Sequence, residues 1–185
     1  SVVFSKPVTG FTNADVVLTG TAGAATAVVS GTGANYTVAV SGMAGSGTVI
    51  ASIPAGRAQD SAGNGNLAST SADNTVLYDN TGPTLTINQA AGQSDPTNAT
   101  TINFTVEFSE PVLGFTFADV TLGGTAGATT AVVTGSGTTY NVAVSGMVTD
   151  GTITAAIGAG VVTDATGNPN AAGTSTDNEV TFNTT

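Results

Sequence analysis

The side chains able to do chemistry in this chain are almost all carboxylates. Twelve Asp and Glu residues stand against two bases, Lys6 and Arg57, and there is no His, Cys or Trp. Without His or Cys the chain has neither the usual general base of neutral-pH catalysis nor a thiolate nucleophile. Zinc centres are disfavoured on the same ground. Glu110 and Asp164 could be read as a glycosidase pair, but a sugar cleft wants stacking aromatics and the chain has no Trp. The same scarcity argues against a lectin. No enzymatic activity is therefore expected. A net charge of −10 makes nucleic acid an unsuitable partner, because phosphate binding needs clustered Lys and Arg. Clustered carboxylates do suit Ca²⁺, which takes roughly six to eight oxygens from carboxylates, amides, carbonyls and water.

The acids recur at a fixed spacing. Phe4-Ser5-Lys6-Pro7-Val8 returns as Phe108-Ser109-Glu110-Pro111-Val112, and Asp15-Val16 returns as Asp119-Val120. Asp60, Asn64 and Asp73 return as Asp164, Asn168 and Asp177. Every pair is 104 residues apart, and residues 1–81 laid on 105–185 without a gap share 47 identities in 81. Self-similarity of this kind marks a repeat architecture. Lys6 is the informative exception, since it stands where the second copy has Glu110. The expected division is an incomplete repeat over 1–79, lacking its first one to two strands, and a complete repeat over 80–185. The missing strands would come from upstream sequence or from another subunit.

Strands must carry these residues. Ile102, Phe104, Val106 and Phe108 alternate with polar residues, and so do Tyr140, Val142 and Val144, then Ile153, Ala155 and Ile157. Alternation with period two sets one face on a core and the other in water. No window shows a helical period, and Val, Thr and 25 Gly favour strands joined by tight turns. The complete unit reads as seven strands near 84–88, 100–108, 119–123, 129–134, 138–145, 151–157 and 178–183. Seven short strands in about 100 residues indicate an immunoglobulin-like sandwich. The expected fold class is all-β, with tandem sandwiches of which the first is incomplete at its N-terminus. No long apolar run is present, so membrane insertion is not expected.

Strand counting sends the carboxylates to one end. If strands alternate up and down, Glu110, Asp119, Asp164 and Asp177, with Asn168, fall at one pole of the second copy, where the connection bearing Asp79 also arrives. Asp79, Glu110, Asp119, Asp164, Asn168 and Asp177 are thus the candidate ligands of a calcium site that would stiffen the junction. A second reading stands beside it: Asp and Asn in loops commonly bond their own backbone as Asx turns. In the first copy, Lys6 would replace the cation and contact Asp60 or Asp73.

The run Phe108-Ser109-Glu110-Pro111-Val112, followed by Gly114-Phe115 and Asp119-Val120, resembles the immunoglobulin-like tandem repeats of large bacterial surface adhesins and biofilm-associated proteins. Asp164-Ala165-Thr166-Gly167-Asn168 and the Asp79-Asn80-Thr81-Gly82-Pro83 junction extend the resemblance. It implies a secreted or cell-surface, calcium-stiffened rod whose partners are neighbouring repeats of the same or an adjacent chain. Two alternatives are a module binding ice, mineral or glycan through Thr-rich faces, and a filament subunit assembled by strand complementation.

Overall fold

The computed structural model describes residues Ser1–Thr185 and divides into two compact units, Ser1–Thr81 and Gly82–Thr185. Both are all-β, and their only helical segments are single 3-10 turns at Asn13–Asp15 and Phe117–Asp119. No helix is long and apolar enough to cross a membrane. The alternating segments of the sequence become strands because each can hide one face. Thr101–Phe108, for example, buries every second residue.

Unit 1 contains β1 (Val2–Val8), β2 (Val17–Thr19), β3 (Thr26–Ser41), β4 (Gly47–Ser52) and β5 (Thr75–Tyr78). β1 pairs with β3, and β2, β4 and β5 form a second antiparallel sheet in the order β2-β4-β5. Unit 2 contains β6 (Leu85–Gln89), β7 (Thr101–Phe108), β8 (Val120–Gly123), β9 (Thr130–Ser136), β10 (Thr139–Ser145), β11 (Gly151–Ile157) and β12 (Glu179–Phe182). Its two antiparallel sheets run β6-β7-β10-β9 and β12-β11-β8. The seven strands lie within two residues of the positions that alternation alone indicates.

The sheets of unit 2 share one core. Phe104, Val106, Val142 and Val144 from one sheet, and Ile153, Ala155 and Val180 from the other, are completely buried. Unit 1 has a much smaller core of Val8, Phe11, Ile53 and Ala58, with Val2, Phe4, Tyr36 and Val38 only partly covered.

The same aromatic clamp closes one end of each core. In unit 2, Phe108, Phe115 and Tyr140 meet edge to face with ring centroids 5.1–5.8 Å apart. Phe4, Phe11 and Tyr36 repeat the arrangement in unit 1. Edge-to-face contact sets the positive rim of one ring against the negative face of the next. Because Phe108 and Phe115 flank the Ser109–Gly114 loop, the clamp fixes both ends of the segment that carries Glu110.

Two connections decide where the unit boundary falls. Ser46 Oγ donates to Asp79 Oδ1 at 2.8 Å and accepts from the Asn80 amide at 2.9 Å, so those residues stay with unit 1. Gly82 lies directly against the Pro169 carbonyl, where any Cβ would collide, and the Ala171 amide donates to Pro83 O at 2.9 Å. Gly82 and Pro83 therefore belong to unit 2, and the boundary lies two residues after the sequence-based one.

Candidate metal centre

Asp164 sits in the long loop between β11 and β12 and is only 2% exposed. Its Oδ1 accepts hydrogen bonds from the Thr166 amide (2.8 Å), the Thr166 hydroxyl (2.8 Å) and the Asn168 amide (2.9 Å). Its Oδ2 accepts one, from Asn168 Nδ2 at 2.9 Å. Burial alone would disfavour the charged form. The donors from Asn168 and Thr166 more than offset that and bring the pKa down to about 2. Asp164 is a fixed, ionised carboxylate that organises its own five-residue loop.

Glu110 reaches the same place from the other side. It follows β7, where the Ser109 amide donates to Thr84 O (2.9 Å) and the Thr84 amide donates to Ser109 Oγ (3.0 Å). Three residues on, the Leu113 amide donates to Thr163 O at 2.8 Å, joining this loop to the one bearing Asp164. A carboxylate oxygen of Glu110 consequently lies within 4.8 Å of one of Asp164. Unit 2 has no Lys or Arg with which to neutralise the pair.

The other candidate residues each have bonds of their own. Asn168 is the amide that braces Asp164. Asp119 uses Oδ2 to accept from the Thr116 amide (2.7 Å) and hydroxyl (3.0 Å), closing the 3-10 turn ahead of β8. Asp177 is exposed; its backbone amide donates to Asn88 Oδ1 and its carbonyl accepts from the Gln89 amide. Neither Asp119 nor Asp177 joins the close carboxylate group. In unit 1, Asp79 accepts from Ser46 Oγ and from the Thr81 amide at 3.0 Å.

Unit 1 repeats the Asp164 loop with one chemical change. Asp60 Oδ1 accepts from the Ala62 and Asn64 amides at 3.0 and 2.9 Å, as Asp164 Oδ1 does from its own loop. Asp60 Oδ2 additionally accepts from Lys6 Nζ at 3.0 Å. Donors from Asn64, then Lys6, hold the Asp60 carboxyl well below the ordinary carboxylate range. Of the two contacts open to Lys6 on sequence grounds, the structure has the one to Asp60.

Asn170, which sequence reasoning passed over, organises the rest of the loop. It is 3% exposed and satisfies all four of its amide valences. Oδ1 accepts from the Val161 and Val162 amides at 2.9 and 3.0 Å, while Nδ2 donates to Gly158 O and Ala171 O at 2.8 and 2.7 Å. Asn66 repeats all four bonds in unit 1, to the Arg57 and Ala58 amides and to Pro54 O and Leu67 O. The 104-residue offset, which keeps this Asn while its neighbours change, is the signal that would have found it.

Compared with known proteins, the chain matches no family model, no curated protein and no solved structure.

Proposed function

We propose that this chain is a structural repeat segment of a secreted or cell-surface bacterial adhesin or fibre, built from immunoglobulin-like units and stiffened by Ca²⁺ at the loop pole of unit 2. The strand order supports the fold part of this reading. Lettered A to G along the chain, β6 to β12 fall into sheets A-B-E-D and G-F-C, the arrangement of the seven-stranded immunoglobulin sandwich.

One observation carries the calcium part. The Glu110–Asp164 carboxylate pair lies within 4.8 Å in a unit without a single base. Its counterpart in unit 1 is a Lys6–Asp60 ion pair at 3.0 Å. The same scaffold thus places an ammonium beside Asp60 and a second acid beside Asp164. Oδ2 of Asp164 holds one hydrogen bond and keeps lone-pair capacity for a ligand. A hard divalent cation matches an all-oxygen donor set of this kind, completed by carbonyls and water. The role is mechanical, with no reaction assigned.

Titration calorimetry with Ca²⁺ tests the reading. Wild type binds at about 10⁻⁴–10⁻³ M, the range of extracellular calcium modules. Glu110→Lys, which copies unit 1, abolishes the heat while leaving the fold intact. Absence of heat in wild type, or equal heat in the two proteins, refutes the calcium assignment.

A further inference from the structure

Asn64 and Gly65 make the single Asn-Gly step in the chain, and the second copy has Asn168-Pro169 at the same place. The exchange is chemically sharp. An Asn carboxamide can be attacked by the backbone nitrogen of the residue that follows it, provided that nitrogen has a proton to lose. Glycine has one and no Cβ to crowd the approach, whereas proline has none.

The loop of unit 1 presents both reacting groups. The Asp60 amide donates to Asn64 O at 3.0 Å, and the Asn66 amide donates to Ala58 O at 2.9 Å. These bonds flank the antiparallel Gln59–Gly65 bridge, so that pair is a non-hydrogen-bonded one and the Gly65 N–H points away from the segment it faces. The ladder leaves this nitrogen unused. The carboxamide is held by Asp60: Asn64 Nδ2 donates to Asp60 Oδ1 at 3.2 Å and to Oδ2 at 3.1 Å. Both bonds are lost when that nitrogen leaves, so Asp60 slows the step without blocking it.

We propose that Asn64–Gly65 is a self-modification site at which unit 1 converts a loop amide into an acid, and that Pro169 makes the matching loop of unit 2 inert. Hydroxide removes the Gly65 amide proton, and the freed electron pair forms a bond to Asn64 Cγ. The Cγ–Nδ2 bond breaks, Nδ2 takes a proton from water and departs as ammonia, and a five-membered cyclic imide remains. Water then adds to one of the two imide carbonyls. Opening on one side leaves an aspartate at position 64. Opening on the other gives an isoaspartate, with one extra carbon in the backbone. The sum is amide plus water giving acid plus ammonia.

The product changes how unit 1 is held. An aspartate at position 64 sets a carboxylate oxygen where Nδ2 met Asp60, and two hydrogen bonds become a like-charge contact. Lys6, 3.0 Å from Asp60 Oδ2, is left to offset both charges. The isoaspartate shifts the register between the two ladder bonds as well.

The test incubates the intact chain at mildly alkaline pH and maps its peptides by mass spectrometry. Expected are aspartate and isoaspartate at position 64 while Asn168 stays intact, forming faster as pH rises. The folded chain should react about tenfold more slowly than a free peptide of residues 59–67, in which the Asp60 bonds are not fixed. Gly65→Pro, which copies unit 2 and removes no ladder bond, should leave Asn64 unreacted. Hydrogen exchange at the Asp60 and Asn66 amides should quicken in the converted protein, with the Asp164 and Asn170 amides unchanged. Four results overturn the proposal: Asn64 intact after the peptide has reacted fully; conversion of Asn168 at a comparable rate; equal rates in chain and peptide; and unaltered exchange at Asp60 and Asn66 after conversion.

Discussion

Asn170→Ala removes one side chain and, with it, the internal bracing of the longest loop in unit 2. Four hydrogen bonds are lost, each contributing about 0.5–1.5 kcal/mol net. Their environments divide the cost. Gly158 O and Ala171 O lie in exposed loop backbone and recover bonds to water, as does the amide of Val161, which is 37% exposed. Val162 is 2% exposed, so its amide stays unpaired and incurs the desolvation cost of a buried donor, about 1–3 kcal/mol. The total is about 2–4 kcal/mol, or a fall in Tm of roughly 10–25 °C for a unit of this size. Differential scanning calorimetry, with amide hydrogen exchange in β10 and β11 to identify the unit that melts, reads it directly. Asn66→Ala should instead loosen unit 1, because the Asn66 bonds are the same. A loss below about 1 kcal/mol for Asn170→Ala, with exchange in β11 unchanged, would refute the reasoning that this Asn holds the loop.

Acid should weaken unit 2 through Asp164. A carboxylate whose folded pKa is depressed to about 2 contributes stability that is complete above the ordinary Asp value and is lost as pH falls from there through the folded pKa. Thermal melts of wild type should therefore fall between about pH 4 and pH 2, and Asp164→Asn should flatten that slope. Val142→Ala should destabilise unit 2 by about 1.5–3 kcal/mol, two buried carbons plus their cavity, and Val38→Ala should cost unit 1 about half as much or less. Paired denaturant titrations decide it, since equal losses would mean that Val38 is buried as fully as Val142 in solution.

Strands were readable because their signal is local. A residue in β7 is apolar or polar according to the face it occupies, and seven alternating segments separated by glycine turns leave few other assignments. Gly135 and Gly137, with φ of 118° and 70°, do mark the turn between β9 and β10. Gly31 and Gly33, with φ of 113° and 70°, make the same reversal within Thr26–Ser41 of unit 1. The site was less readable, since counting strand directions assigns a residue to an end of the sandwich and fixes no distance. Glu110 and Asp164 meet because Leu113 and Thr163 pair their backbones. Asp119 arrives at a turn whose own Thr116 amide and hydroxyl take up its carboxylate, and a short polar side chain three residues after a Thr gives no warning of which role it takes. Asn170 escaped for a related reason: in sequence it is one more loop Asn, and only burial turns its four valences into a structural necessity.

The exchange of Lys6 for Glu110 gives the two copies different electrostatics on one scaffold. Asp60 and Asp164 both spend Oδ1 on their own loop and both receive Asn Nδ2 on Oδ2. The remaining capacity of Oδ2 is where they part. In unit 1 a Lys6 ammonium, itself 64% exposed, takes it. An exposed ammonium on a flexible stem makes a weak, salt-screened contact, one that constrains little. In unit 2 a second carboxylate arrives in place of the ammonium, and two like charges at that separation repel unless something positive joins them. The Asp carboxylate of each loop is already held by donors of its own loop, Ala62 and Asn64 in unit 1 and Thr166 and Asn168 in unit 2, so the extra acid is not needed to shape the loop. Under the proposed calcium reading, its effect would be to make unit 2 respond to the concentration of divalent cations while unit 1 does not. Ca²⁺ should accordingly stabilise unit 2 by mass action, by about 2.7 kcal/mol at a hundredfold excess over Kd, raising its Tm and leaving the melting of unit 1 where it was.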